Sequence, residues 1–186
     1  MDKFMNKRFA WAVTGAGDLL LESLEVIKKI ISIYDVEVTA ILSKSGDVVL
    51  KWYRLREDLD KVVHEVGLEK GPNSPFYAGP LQIGHYDFFF VSPATGNTVA
   101  KIALGLADSL VSNCVSQAMK GGTPVLIYPV DQKPGNIVTY GPKGEEIVLR
   151  TREVDLENAE KLRRMQGITV LEHPYRIEDY CANLYR

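Results

Sequence analysis

The stretch FAWAVTGAGDLLLESLEVIKKIISIYDVEVTAIL, residues 9–42, decides the fold. Residues 9–14 are an apolar run, which Thr14-Gly15-Ala16-Gly17-Asp18 ends in a tight turn. From residue 19 to 33 the apolar positions recur at helical spacing, at Leu20, Leu24, Ile27 and Ile31. Residues 36–42 form a second β-branched run. Strand, helix and strand within so short a span make a βαβ unit, whose crossover packs well only as a right-handed connection between parallel strands.

The pattern repeats downstream. Residues 88–91 are apolar without alternation, as in a central parallel strand covered on both faces, and Ser92-Pro93-Ala94-Thr95-Gly96-Asn97 reads as a loop at its carboxyl end. Residues 124–128 form another buried strand leading into Pro129-Val130-Asp131, and residues 168–171 a last short one. Helices are predicted over residues 46–54, 57–66, 98–107, 110–119 and 156–165, with a loop at Gly71-Pro72-Asn73-Ser74-Pro75. The pair at 98–107 and 110–119 is small and aliphatic on most sides, which predicts burial in the core or against another subunit. Residues 137–140 and 146–149 flank Gly141-Pro142-Lys143-Gly144, the composition of an antiparallel hairpin appended to the parallel sheet. The expected architecture is therefore an α/β three-layer sandwich with a mainly parallel sheet and a β-hairpin towards the C-terminus, built as a single domain over residues 1–186.

Composition narrows the function. Apolar residues at 46% and charged residues at 25% are ordinary for a globular chain, so neither disorder nor a fibrous repeat is indicated. A net charge of -2 supplies no basic field for nucleic-acid phosphates, so no nucleic-acid partner is expected. Cys114 and Cys181 form no CxxC pair, so a redox centre here would be organic and not an iron–sulfur cluster or another metal site. Residues 1–8 are polar and the apolar run that follows is too short for a signal or membrane segment, which predicts a cytoplasmic protein without membrane attachment.

In open parallel sheets, ligands bind outside the carboxyl ends of the strands, where helix N-termini and loop amides converge on anionic groups. Four segments qualify: residues 14–18, 43–46, 92–98 and 129–131. The glycines of the first permit close backbone approach to a ligand, although a bare tight turn uses them equally well. An NAD fingerprint would need a third glycine where Leu20 stands and an acid where Leu42-Ser43-Lys44 stands; a phosphate loop of the Walker type would need a lysine followed by serine or threonine. Ser43 and Lys44 suit a terminal phosphate, and an exposed turn is their other reading. Ser92, Thr95, Asn97 and Thr98 place four hydrogen-bonding side chains in one short segment; capping by Thr95 or Asn97 accounts for part of them, and ligand binding for all.

The run Ser92-Pro93-Ala94-Thr95-Gly96-Asn97-Thr98-Val99-Ala100-Lys101-Ile102-Ala103, continued by Gly105-Leu106-Ala107-Asp108, resembles the signature of a flavoprotein family. That family includes the homo-oligomeric flavin-containing cysteine decarboxylases, phosphopantothenoylcysteine decarboxylase and the flavin prenyltransferases. Ala10-Trp11-Ala12-Val13-Thr14-Gly15-Ala16-Gly17 and Ser43-Lys44-Ser45-Gly46 are similar to one branch, the archaeoflavoprotein and dihydromethanopterin reductase-like proteins. The resemblance spans residues 9–131. It implies a Rossmann-like, flavodoxin-like sandwich, FMN as cofactor, and trimers or multiples of trimers in which the helices at 98–107 and 110–119 make subunit contacts. Residue by residue, it implies that Thr14, Gly15, Ala16 and Gly17 line the flavin site and that Ser43 and Lys44 meet the phosphate or ribityl chain. Ser92, Ala94, Thr95, Asn97 and Thr98 would enclose the cofactor, and Asp108 matches an acid after the signature helix.

The departures from that pattern bear on the reaction. The decarboxylases' catalytic histidine would fall at Gly79, while His85 reads as a loop residue and His64 as a solvated residue on a polar helix face. The later substrate-binding motif is here Pro129-Val130-Asp131-Gln132. The resemblance therefore implies electron transfer from a reduced carrier such as a ferredoxin to a small-molecule acceptor such as dihydromethanopterin; the alternative is an FMN-dependent decarboxylase or prenyltransferase relative. A planar acceptor would need a wall over the flavin, for which Tyr77, Tyr128, Tyr140 and Trp52 are candidates, although aromatic residues are more often core. No catalytic side chain is assigned, since the chemistry would be the cofactor's.

Overall fold

In a computed structural model, which describes residues 7–186, the chain forms a six-stranded parallel sheet with helices on both faces, and a separate two-stranded hairpin. Residues 1–6, most of the polar lead-in read above, lie outside the described residues. The first half runs β1 (Arg8–Val13), α1 (Leu20–Tyr34), β2 (Glu37–Leu42), α2 (Lys44–Trp52), α3 (Arg56–Val62), β3 (Glu65–Leu68), α4 (Ala78–Gln82) and β4 (Phe89–Ala94). The second half runs α5 (Gly96–Ala103), α6 (Leu110–Gly121), β5 (Val125–Pro129), β6 (Asn136–Tyr140), β7 (Glu146–Arg150), α7 (Glu153–Arg163), β8 (Ile168–Val170) and α8 (Ile177–Leu184).

The sheet order is β3-β2-β1-β4-β5-β8. Phe9, Trp11 and Val13 of β1 pack into one apolar layer with Leu24 and Ile27 of α1 and Ile177 of α8. Ala10 and Ala12 face the opposite layer, with Val99 of α5, Val111 of α6 and Leu162 of α7. A strand covered on both sides needs apolar residues at every position, which is why β1 and the start of β4 read as unbroken hydrophobic runs. Strand order reverses between β1 and β4. The connections leaving these neighbours run to opposite faces and open a crevice at the carboxyl end of the sheet. Thr14 clasps the two strand ends together: its hydroxyl donates to the Pro93 carbonyl at 2.7 Å and accepts from the Thr95 N–H at 2.9 Å.

Several elements depart from the sequence reading. The helix expected over residues 57–66 stops at Val62, and Glu65–Leu68 is an edge strand paired with β2. His64 is therefore not on a helix face; its Nδ1 accepts from the Val38 N–H at 3.2 Å and its own N–H donates to the Val38 carbonyl. Residues 92–94 belong to β4 rather than to a loop, with a bulge in the register against β5. Helix α5 starts at Gly96, capped by the Thr95 side chain, and ends at Ala103, just before Gly105 takes φ +73, a left-handed turn that favours glycine. Helices α2 and α7 begin two and three residues earlier than the reading of 46–54 and 156–165. The short helices α4 and α8 had no counterpart in the periodicity. The hairpin of β6 and β7 is antiparallel, as expected.

Candidate functional site

Two adjoining cavities occupy the crevice, and both are bordered by Gly15 and Thr95. The first, of ≈ 430 Å³, is polar. Its border includes Thr14, Ser43, Lys44, Ser45, Glu69, Asn97, Thr98, Lys101 and Ser109. The N-termini of α2, α5 and α6 all reach it, because each of these helices starts from a connection at the carboxyl end of the sheet or beside it. First-turn amides have no carbonyl within their own helix to bond. Ser43 satisfies one of them by accepting from the Gly46 N–H at 2.9 Å, and Thr95 another by accepting from Thr98 at 3.2 Å. The N–H groups of Gly15, Ser45 and Asn97 have no hydrogen-bond partner among the described residues. With Lys44 exposed beside them, these amides make a cradle for an anion.

Glu69 closes the far side of this cavity. Its carboxylate accepts from the Lys44 N–H at 3.2 Å and the Leu110 N–H at 2.7 Å, and so caps α2 and α6 at once. Lys101 pairs at 2.9 Å with the exposed Asp108, and this pair holds the Asp108 carboxyl below its usual range.

The second cavity, of ≈ 310 Å³, lies under the hairpin. Its border joins the 15–18 turn to Tyr53, Val130, Asp131 and the inward-facing residues Ile137, Thr139, Ile147 and Leu149 of β6 and β7. The hairpin is thus a roof and not a distant appendage. Tyr53 ties it down by donating from its hydroxyl to the Tyr140 carbonyl at 2.7 Å. A Cβ on Gly17 would stand 2.3 Å from that hydroxyl, so only glycine leaves room for the tie.

Asp18 and Asp131 are the charged side chains on this border. Burial pushes the Asp18 carboxyl up; contacts with Thr139 and Tyr128 offset part of the shift, and the charges of Glu22 and Asp131 add to it. The Tyr128 hydroxyl donates to Asp18 at 3.3 Å. Asp131 is likewise raised, by burial and then by repulsion from Asp155, against the backbone N–H of Gly96 and the charge of Arg152. Asp155 itself is held by Arg152 through two hydrogen bonds of 2.8 and 2.7 Å, which keep it ionised.

Of the residues singled out from sequence, Thr14, Gly15, Ser43, Lys44, Thr95, Asn97 and Thr98 border the polar cavity, and Gly15, Ala16, Gly17 and Thr95 the roofed one. Ser92 and Ala94 border neither: both are fully buried, and the Ser92 hydroxyl pairs with that of Ser23 at 2.8 Å. Asp108 lies outside both borders. Among the proposed aromatic walls, Tyr140 carries the roof's tie through its backbone and Tyr128 reaches the site through Asp18. Tyr77 bonds Glu65 instead, and Trp52 is exposed. Tyr53, Glu69, Lys101 and the hairpin side chains escaped the sequence reading, because only the folded chain brings them to the strand ends. None of His64, His85 and His173 borders either cavity, and neither does Gly79.

Comparison with known proteins places this geometry. A family model described as flavoprotein matches residues 2–184. An uncharacterized protein of Methanocaldococcus jannaschii is 47% identical over 171 residues, 92% of each chain. A dihydromethanopterin reductase (acceptor) of the same organism is 34% identical over 236 residues, which cover 95% of this chain and 96% of the reductase. That alignment exceeds the 186 residues of this chain by 50, so the reductase carries sequence with no counterpart here. Among solved structures, DmrB of Burkholderia xenovorans in complex with FMN, described as a cubic protein cage for redox transfer, superposes with a TM-score of 0.81 at 32% identity, over 96% of this chain and 95% of that one.

Proposed function

The chain belongs to the flavoprotein family, and from that premise we propose that it binds FMN across the crevice and passes electrons from a reduced carrier, such as a ferredoxin, to a small-molecule acceptor of the dihydropterin type. The observation that carries this reading is the set of unpartnered amides of Gly15, Ser45 and Asn97 on one cavity beside Lys44, which fits the phosphate of a nucleotide. FMN supplies the electron and hydride chemistry when bound. The chain's residues hold and orient it. Ser43, Lys44, Asn97 and Thr98 surround the phosphorylated end, the 15–17 turn and Thr95 span the middle, and the hairpin shields the adjoining space from water. Thr14, on the border of the polar cavity, ties the end of β1 to β4, and Ser92 and Ala94 act from behind, within β4.

The relatives named above support this reading over decarboxylation, as does the lack of a histidine on either cavity border. An apolar groove on α5, α6 and α7, lined by Ile102, Leu106, Val115, Met119 and Met165, supports assembly of copies of this chain, and we propose trimers or multiples of them. A cytoplasmic setting fits two buried cysteines that form no disulfide and whose thiols burial pushes up to about 12. Among the described residues no helix is long and apolar enough to cross a membrane.

The test is direct. Purified protein should carry, or take up from solution, FMN in equal amount to the chain, and the bound flavin should bleach with reduced ferredoxin and recover its colour with a dihydropterin acceptor. Protein that remains colourless in excess FMN would refute the reading.

A further inference from the structure

We infer that Asp18 and Asp131 couple reduction of the bound flavin to proton uptake: beside them the ring is held without added negative charge, so two protons enter with every two electrons. This deepens the reading above and rests on it, because it takes the phosphorylated end of FMN to fill the polar cavity. The ring then extends under the hairpin. The two cavities share Gly15 and Thr95, so a molecule anchored in the first passes that turn into the second. Ile137, Ile147, Leu149 and Val130 wall the second cavity, and a flat ring system suits such walls.

The charge around that space has one sign. Asp18 and Asp131 are the charged groups on its border. Asp18 is faced by Glu22 of α1, Tyr128 of β5 and Thr139 of β6, and Asp131 by Asp155, Arg152 and the Gly96 N–H. A Cβ on Gly96 would stand 3.0 Å from Asp131 and 2.7 Å from Asp155, so both acids crowd the first residue of α5. Tyr53, also on the border, feels the charges of Glu145 and Asp18. Arg152 is the cation of this group, and its two short hydrogen bonds go to Asp155. Lys44 and Lys101 border the polar cavity, on the side of the phosphate. Burial, with like charge added to it, raises both carboxyls, so each is ready to hold a proton beside the ring.

Reduction takes two electrons from the carrier, which is oxidised, and one proton, which forms the N–H bond at N5 of the ring. With that proton alone the ring carries a negative charge, its ordinary reduced form in water above neutrality. Coulomb repulsion acts whichever edge of the ring faces the acids, and a roof that excludes water strengthens it. A second proton from solvent cancels the charge, held at N1 of the ring or on one of the two carboxylates.

The test is the midpoint potential of FMN-loaded protein against pH, measured by spectroelectrochemistry. One pH unit is tenfold in proton activity, which for a two-electron couple is about 30 mV for each proton taken up. Between about pH 7.5 and about pH 9 the bound flavin should therefore fall by about 60 mV per unit, where free FMN falls by about 30 mV. Asp18→Asn and Asp131→Asn should each make that slope shallower, and the two together should bring it to about 30 mV. The absorbance of the reduced flavin should change in the same variants from the neutral to the anionic form. A slope of about 30 mV in the unaltered protein overturns the inference without recourse to any variant. So do variants that keep the full slope with FMN bound. Failure to bind FMN at all defeats the reading of the previous section and this one with it; a loaded protein with the shallow slope defeats this one alone.

Discussion

The Tyr53 hydroxyl and the Tyr140 carbonyl, 2.7 Å apart, join the end of α2 to the roof of the second cavity. Tyr53→Phe removes the donor and nothing else. It should loosen the hairpin by about 1 kcal/mol, the usual net worth of such a bond, and leave the sheet intact. Faster amide exchange across residues 136–150, with unchanged exchange in β1 and β4, would confirm this; unchanged hairpin exchange would show that the tie carries no weight.

Gly17→Ala should act on the same tie from the other side. The new methyl group cannot coexist with the present Tyr53 ring, so the ring must swing away and release Tyr140. The hairpin should become at least as exchangeable as in Tyr53→Phe. Hydrogen exchange across residues 136–150 reads the effect, and unchanged exchange there would contradict it.

Ser92→Ala and Thr95→Ala should part company. Ser92 bonds Ser23 of α1 in the buried layer between helix and sheet, so its loss should lower stability by about 1 kcal/mol and leave FMN affinity within about twofold. Thr95 caps α5 on the borders of both cavities, so Thr95→Ala should cost about 1 kcal/mol and also weaken FMN. Urea unfolding and flavin fluorescence titration, run on both variants, decide the matter; an equal loss of FMN affinity in the two would contradict it.

Asp47 predicts a pH effect. Burial pushes its carboxyl up, but hydrogen bonds and charges from Lys51 and Arg56 outweigh burial and hold it below the usual range. A depressed carboxyl contributes stability that is present above its unfolded value near about 4 and is lost as pH falls through the folded value. Asp47→Asn should therefore cost about 1 to 3 kcal/mol at pH 7. The gap between variant and parent should narrow as pH falls below about 4, measured by urea unfolding across that range.

Asp18 has the opposite sign. Its raised carboxyl favours the folded state below the unfolded value, and that advantage disappears as pH rises through the folded value. Asp18→Asn should make the protein slightly more heat-stable at pH 7, by about 2 °C, with no gain at about pH 4. Scanning calorimetry at the two pH values tests this.

The strands and the polar cavity were legible because their signals are local. A run such as 9–14 can only be a doubly covered strand, and the turn after it must carry what lies at its end. The 92–98 segment announced itself by four hydrogen-bonding side chains, yet it misled at Ser92, since a hydroxyl inside a buried strand looks the same in sequence as one in a loop. β3 was hidden because Glu65–Leu68 continues the helical spacing of α3 and becomes a strand only through pairing with β2. The roof could be read as a hairpin but not as a lid: its position follows from the tie to Tyr53, made only when the chain has folded. The nearness of Asp18 to Asp131 has the same origin: they follow β1 and β5, far apart in the chain and flanking β4 in the sheet.

Glu69 has one more effect. By bridging the first amides of α2 and α6 it braces the mouth of the crevice from within. Loading should then resemble a key entering a finished lock: rapid, reversible, and accompanied by little reshaping of the backbone, so that a flavin stripped away can be replaced without the protein refolding.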